Sequence, residues 1–275
     1  MVAIVERPDL SQRTALSKST LATFDLCQSK SWFAIHDPRP FVPNEKVTFG
    51  SAVDAGVEVI LKYARMGEDP DLDKATEAAA YVIERDGVEV DPVDVQTALA
   101  AFVVQVLPKF DWSFVGLQSN LTATLEGLGE CNGHPDIILG DNSVFDVKTS
   151  GRAKEVPSLE LGFYALLVEE VDPTQKVPRV GYINYIRSKR PFWQIVETPV
   201  TDELRRWAYE KSAAYVRAKK ADAALNAKAE TPANFSMTGG PRFASLCLDC
   251  PFNPALGGSC LIALNEPEVE ILDVA

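Results

Sequence analysis

The stretch Gly133-His-Pro-Asp-Ile-Ile-Leu-Gly-Asp-Asn-Ser-Val-Phe-Asp-Val-Lys148 decides how the rest of the chain is read. Two apolar runs, Ile137 to Leu139 and Val144 to Val147, flank Gly140-Asp141-Asn142, whose residue types suit the turn of a short antiparallel hairpin. With those three as the loop, Leu139 faces Ser143, and counting back sets Asp136 opposite Asp146. Directly opposed residues share a face with side chains roughly 5 Å apart. Lys148, two residues on, projects from the same side.

Two ionised carboxylates that close repel by about 3 kcal/mol at an effective dielectric near 20. A divalent cation between them removes the conflict. Hard oxygen donors suit magnesium or manganese, which also take phosphate oxygens as ligands. Such an ion polarises phosphorus and acidifies a bound water, while Lys148 steadies the nucleophile or the developing charge. The alternative is a charged hairpin with one wet face.

A chain of 275 residues with 46% hydrophobic content is long and apolar enough for one substantial core. No apolar run approaches the roughly 20 residues that span a bilayer, and the charged opening Met1-Val-Ala-Ile-Val-Glu-Arg-Pro-Asp is unlike a signal peptide. The expectation is a cytoplasmic protein without membrane attachment. A net charge of -12 argues against a nonspecific nucleic-acid coat. Local cations are the exception: Arg179, Arg187, Lys189 and Arg190 surround one strand pair, and Arg205, Arg206, Lys211, Arg217, Lys219 and Lys220 punctuate one helix. They either line a groove for a polyanion or sit on ordinary solvated faces.

Ser17 is the expected cap of a first helix running to Cys27 and on towards Trp32, and Asp37 to Pro43 is a proline-rich link. Helical spacing follows over Ser51 to Met66, with Asp54 at the border of the apolar stripe, then over Asp71 to Arg85 and Pro92 to Leu107. Strands over Leu121 to Glu126, Gly133 to Leu139 and Ser143 to Lys148 read as one meander, with Glu126 bordering the site. A helix over Pro157 to Glu170, strands over Val180 to Ile186 and Phe192 to Thr198, and a helix over Asp202 to Ala229 complete the pattern. This order indicates an α/β core with helices on both faces. One domain, 1–275, divides into a helical part (17–112), a core (113–230) and a cysteine-bearing tail (231–275).

Five cysteines, an odd total, argue against a secreted disulfide framework. Cys247-x2-Cys250 and Cys260 lie in a segment with little regular pattern, which needs a staple. With the remote Cys27 they complete a four-sulfur set for either an iron–sulfur cluster or a zinc ion. Cys131 reads as a small buried residue, and His36 and His134 as structural.

Five blocks together resemble the PD-(D/E)XK nuclease superfamily, specifically RecB-like and AddB-type exonucleases with an iron–sulfur staple. Leu16-Ser-Lys-Ser-Thr-Leu-Ala-Thr-Phe-Asp-Leu-Cys27 resembles the opening helix with its cluster cysteine, and Gly50-Ser-Ala-Val-Asp54 the block ending in a metal-binding residue. Gly133-His-Pro-Asp136 and Asp146-Val-Lys148 resemble the two acidic blocks, Glu160-x3-Tyr164 the Gln-x3-Tyr helix, and Cys247, Cys250 and Cys260 the closing trio.

The resemblance implies a restriction-endonuclease-like mixed sheet flanked by helices, with a cysteine-ligated staple joining the first helix to the tail. It implies Asp54, Asp136, Asp146 and Val147 around Mg2+ or Mn2+, and Lys148, Glu160 and Tyr164 as catalytic or DNA-contacting residues. For Tyr164, core packing with a satisfied hydroxyl is the competing reading. It also implies a 4Fe-4S cluster, in preference to zinc, on Cys27, Cys247, Cys250 and Cys260. Three departures stand out: Asp54 replaces a usual histidine, Glu160 a usual glutamine, and the gap from Cys250 to Cys260 is longer than usual, so the cluster loop must bulge. The activity implied is an exonuclease acting on single-stranded DNA or duplex ends in recombination, repair or phage DNA processing, with a homo-oligomer or a recombination protein as possible partner. Two other classes remain: a noncatalytic adaptor that binds DNA ends or proteins, and a zinc-ribbon regulator.

Overall fold

The computed structural model describes residues 15–36, 42–113, 116–225, 250–252 and 260. Its centre is a five-stranded mixed sheet in the order β2-β5-β6-β7-β8, built from Gly116–Leu117, Ile137–Ile138, Val144–Ser150, Arg179–Ile186 and Phe192–Pro199. β6 and β7 run parallel, joined through helix α6 (Leu159–Val171), and the other pairs are antiparallel. A parallel pair needs such a crossover, and the helix it supplies covers one face of the sheet.

Alternation along β6 assigns its side chains to two cores. Val144 faces the first core, with α6, α1 (Lys18–Leu26) and α7 (Asp202–Leu225), where Leu21, Phe24, Leu161, Leu204 and Ala208 are buried. Phe145 and Val147 face the second, with α3 (Glu45–Met66), α4 (Leu72–Asp86) and α5 (Pro92–Gln105). Helices therefore cover both faces, as the order of elements in the sequence indicates. α3 starts at the Asn44 cap, a turn before the apolar stripe, and stops at Gly67 in the left-handed conformation (φ 72°). The buried indole of Trp193 donates to the Ala98 carbonyl (2.9 Å), which ties β8 to α5 without an unsatisfied polar group.

Two expectations are corrected. The single meander is two separate hairpins. β3 (Leu121–Leu125) and β4 (Gly129–Gly133) form a second sheet with β1 (Leu16–Ser17), in the order β1-β4-β3, and only β5 and β6 belong to the central sheet. The chain changes sheet over His134-Pro135-Asp136, because Pro135 has no N–H to continue a ladder. The first helix also divides, into α1 and α2 (Gln28–His36), at an extended Cys27 (φ −160°, ψ 110°). The Cys27 sulfur accepts from the Lys30 N–H (3.4 Å), the place an N-cap side chain takes at the start of a helix.

Gly181 on β7 has no room for a side chain: a Cβ there would lie 2.6 Å from the Val196 carbonyl oxygen and 2.7 Å from the Phe145 ring. Gly181→Ala is expected to cost about 1–3 kcal/mol, since a backbone atom cannot step aside, lowering the melting midpoint by several degrees in a calorimetric scan. An unchanged midpoint would contradict this packing.

Candidate active site

The site is built where the two sheets meet. The pairings Ile137↔Phe145 and Ile138↔Val144 run on to set Asp136 against Asp146. The loop closes with Leu139 N donating to the Ser143 carbonyl and Asn142 N to that of Leu139 (both 2.9 Å), Asn142 taking φ 64°. Asp136 is locked at both ends: its carbonyl accepts from Gln118 N (2.9 Å), and its Oδ2 from Val147 N (2.7 Å).

Asp146 is fully buried, and both its oxygens meet ammonium groups. Oδ1 lies 2.8 Å from Lys18 Nζ, and Oδ2 contacts Lys148 Nζ. The same two lysines converge on Glu160 Oε1, at 2.6 Å and 3.1 Å. Lys18, Asp146, Lys148 and Glu160 thus alternate in sign around a closed ring of contacts. The Tyr182 hydroxyl donates to Glu160 Oε2 (3.0 Å) and lies 2.7 Å from Ser158 Oγ, fixing the first turn of α6 against β7. Tyr164 is buried, and its hydroxyl donates to the His134 carbonyl (2.8 Å). Lys18 Nζ stands 5.1 Å from the centre of its ring.

On the α3 side a narrow, half-open cleft is lined by Asp54, Glu58, Gln118, Asp136 and Val147 together with apolar neighbours. Asp54 Oδ1 is buried there without a hydrogen-bond partner. Burial pushes the Asp54 carboxyl well above the ordinary range, and the nearby Asp136 charge adds to the effect. Burial, then Asp146, push Asp136 up to about 7, against the opposing pull of Lys148 and Lys18. Burial works to raise Glu160 too, yet Lys148 and Lys18 hold it down at about 2. Burial disfavours both ammonium groups, but the attraction of Asp146 and Glu160 outweighs it, so Lys18 and Lys148 stay protonated.

No protein-family model matches the chain, and none of the curated proteins is significantly similar to it. Among solved structures it is similar to a candidate exonuclease from Eubacterium rectale. That crystal structure covers 78% of this chain and 85% of its own, at 12% identity, with a TM-score of 0.50. The fold is nuclease-like. A crystal structure of SSO0001 aligns over 86% of this chain and 93% of its own at 14% identity, but with a TM-score of 0.31, too loose to define an architecture.

Asp54, Asp136, Asp146, Lys148 and Glu160 are brought into one electrostatic neighbourhood. Tyr164 has no surface to offer a nucleic acid; what it touches is the His134 main chain and Lys18. Glu126 lies in the β3–β4 turn, at the hairpin end away from Gly133, and its carbonyl accepts from Tyr209. Several of the cations are engaged within the chain: Arg179 with Glu197, Arg187 with Glu45, Arg205 with Glu169, and Lys211 with Asp25. Among the described residues, no helix is long and apolar enough to cross a membrane.

Cys260 and Cys250 lie near Cys27, whose thiol is raised by burial first and then by those two neighbours. The Phe252 ring stacks on Phe33 of α2 at 5.1 Å. Cys247 lies outside the described residues. Among the described residues no three His, Cys, Asp or Glu side chains close on a single point. At Asp146, Oδ1 accepts from Lys18, while Oδ2 is in ion-pair contact with Lys148 but, like Asp54 Oδ1, lacks a hydrogen-bond partner.

Sequence reading missed Lys18, Tyr182 and Ser158. Lys18 reaches the site because β1 pairs in parallel with β4, a contact no local pattern announces. Tyr182 had a signal: Tyr182 and Asn184 are polar residues at a period of two inside an otherwise apolar strand, pointing to one specialised face.

In chelating buffer, the raised Asp54 and Asp136 carboxyls hold protons that the unfolded chain has already released between the ordinary carboxylate range and, for Asp136, about 7. Stability therefore falls as pH rises through that window. Asp54→Asn and Asp136→Asn are each expected to raise the melting midpoint at about pH 8 by a few degrees, on the order of 1 kcal/mol, with less gain near pH 5. Scans in EDTA at both pH values check this; equal or lower midpoints at the higher pH would contradict it.

Proposed function

We propose that this chain is a divalent-metal-dependent nuclease that hydrolyses DNA phosphodiester bonds, acting as an exonuclease on single strands or duplex ends. One observation carries the reading: a fully buried Asp146 paired with Lys148 on the central strand and set against Asp136, which lines a cleft with Asp54. The nuclease-like fold shared with the candidate exonuclease is consistent with it.

The donors present fit a hard cation. Asp54 Oδ1 is a buried oxygen without a partner, and Asp136 is raised by burial and then by the neighbouring Asp146 charge, as expected of a carboxylate pair built around Mg2+ or Mn2+. Asp54, Asp136, Asp146 and the Val147 main chain would hold it. Such an ion supplies positive charge at the phosphate and lowers the pKa of a bound water.

The chain's own groups do the rest. Lys148, protonated and fixed on the central strand, is a preorganised donor for negative charge growing on the phosphate rather than a base. Glu160 orients it, and Tyr182 with Ser158 orients Glu160. Burial of these groups strengthens each interaction relative to water.

Cys27, Cys250 and Cys260, with Cys247, would hold an iron–sulfur cluster, for which four thiolates are the usual donor set. Cys250 and Cys260 lie near Cys27 where the tail packs on α2, so the group would tie the tail to the helix pair that begins at the site. Hydrolysis transfers no electrons, so its part is structural.

End-labelled single-stranded DNA incubated with Mg2+ or Mn2+ is expected to be shortened, and Asp136→Ala, Asp146→Ala and Lys148→Ala to lose at least about a hundredfold in rate. Turnover that survives both Asp136→Ala and Lys148→Ala sinks the proposal, and DNA binding without turnover in any divalent metal selects a noncatalytic adaptor. Protein purified anaerobically is expected to be brown with broad visible absorption that Cys27→Ser and Cys250→Ser abolish; colourless protein containing zinc would replace the cluster with a zinc ion.

A further inference from the structure

We infer that Lys18 is a substrate-binding residue of this site, a second ammonium that contacts a phosphate of the nucleic-acid strand; the inference rests on the nuclease reading above. Lys18 opens α1 directly after the Ser17 cap, and the pairing of Leu16 with Cys131 and of Ser17 with Asn132 fixes that helix start beside the end of β4. Its Nζ reaches Asp146 Oδ1 at 2.8 Å and Glu160 Oε1 at 2.6 Å. The Lys18 side chain is 25% exposed whereas Asp146 is 0% exposed, so the ammonium stands between the buried carboxylate and solvent.

The charges of the site show why a second cation is useful there. Among the described residues, with every group ionised and Glu58 paired with Lys62, Asp54, Asp136, Asp146 and Glu160 are set against Lys18 and Lys148, leaving two negative charges, the amount one divalent cation neutralises. A phosphate strand then adds negative charge of its own, and some positive group must be free to meet it. Asp146 has two oxygens, each in contact with a lysine: Oδ1 accepts a hydrogen bond from Lys18, and Oδ2 is ion-paired with Lys148 without a hydrogen bond of its own. When Asp146 lends an oxygen to a cation, one of those ammonium groups loses a partner. Lys148 is built into the central strand, with Val147 and Thr149 in register with β7. Lys18 stands on a helix start at the rim and keeps Glu160 as its anchor, in the shorter of its two contacts. Freed from Asp146, it has ammonium hydrogens to offer a phosphate oxygen without leaving the site.

A purely compensating role for Lys18, as the counter-charge of Glu160, makes a different forecast. The test compares wild type, Glu160→Gln, Lys18→Met and the double variant Lys18→Met/Glu160→Gln, each checked for folding by circular dichroism. The double variant leaves no carboxylate at position 160 to be stranded without its cation, so it remains informative if Lys18→Met alone fails to fold. Binding of fluorescein-labelled oligo(dT) is measured by anisotropy in Ca2+ over a range of salt concentrations.

If Lys18 meets a phosphate, the double variant binds about tenfold more weakly than Glu160→Gln, and its plot of log affinity against log salt is shallower by about 0.7, the loss of one contact to a single strand. If the double variant matches Glu160→Gln in both affinity and salt slope, Lys18 only balances Glu160 and the inference is overturned. Failure of wild type to bind the oligonucleotide at all overturns the nuclease reading itself, and the phosphate contact with it.

Discussion

A carboxylate with no exposure to water sits at the centre of this molecule, and the surrounding architecture is what makes its burial tolerable. Desolvating Asp146 alone would cost several kcal/mol. Lys148 comes from two residues along the same strand, Lys18 from the first turn of α1, and Glu160 from the first turn of α6 to bind both lysines in turn. The βαβ crossover and the β1–β4 pairing are therefore more than topology: each delivers one member of a ring in which every charge has two opposite neighbours. Tyr182 and Ser158 close the outer edge of that ring with hydrogen bonds to Glu160 and to each other.

The hinge at Pro135 gives the same region its second property. By ending one ladder and opening another, it places Asp136 at the junction of the two sheets, where its main chain is held by Gln118 and its side chain by Val147 N–H. Gly133, just before the hinge, has no space for a side chain: a Cβ would lie 2.7 Å from Leu167 and 2.9 Å from Tyr164. Tyr164 in turn holds the His134 carbonyl. Its contribution is to fix the bend that aims Asp136, which explains how a fully buried tyrosine belongs to the site without facing it. Among the described residues Asp54 and Asp136, unlike Asp146, form no ion pair, and burial first, then a neighbouring carboxylate, raises both against the weaker pull of Lys148 and Lys18.

What the sequence revealed and what it hid divide along the range of the interactions. The register of the β5–β6 hairpin was legible, because Gly140-Asp141-Asn142 and the flanking apolar runs are local signals, although its first strand is shorter than Gly133 to Leu139; α4 and α5 followed from helical spacing, and α3 did from Ser51 on, its start at Glu45 lying ahead of the apolar stripe. The split of the supposed meander was less visible, although Pro135 inside a strand-like run is a known obstacle to a continuous ladder. Lys18 was hidden for a deeper reason. Its partner Asp146 is 128 positions away, and nothing in Ser17-Lys18-Ser19 separates a lysine at a helix start exposed to water from one that enters a charged ring.

α1 therefore links two parts of the molecule mechanically. Its first residue is Lys18 and its C-cap is Cys27, separated by a helix of about 13 Å at 1.5 Å per residue. At the near end the helix start is held by the Ser17 cap and the β1–β4 pairing. At the far end Cys27 caps α2 through its sulfur, and α2 carries Phe33 against Phe252 of the tail. Phe24 in the middle packs edge-on against Tyr215 of α7 at 5.3 Å, so the helix is gripped along its length. The helix that supplies Lys18 to the charged ring is thus the one whose far end meets the cysteine-bearing tail, and contacts at its cap, at Phe24 and at Cys27 hold it in place against the sheet, α7 and α2.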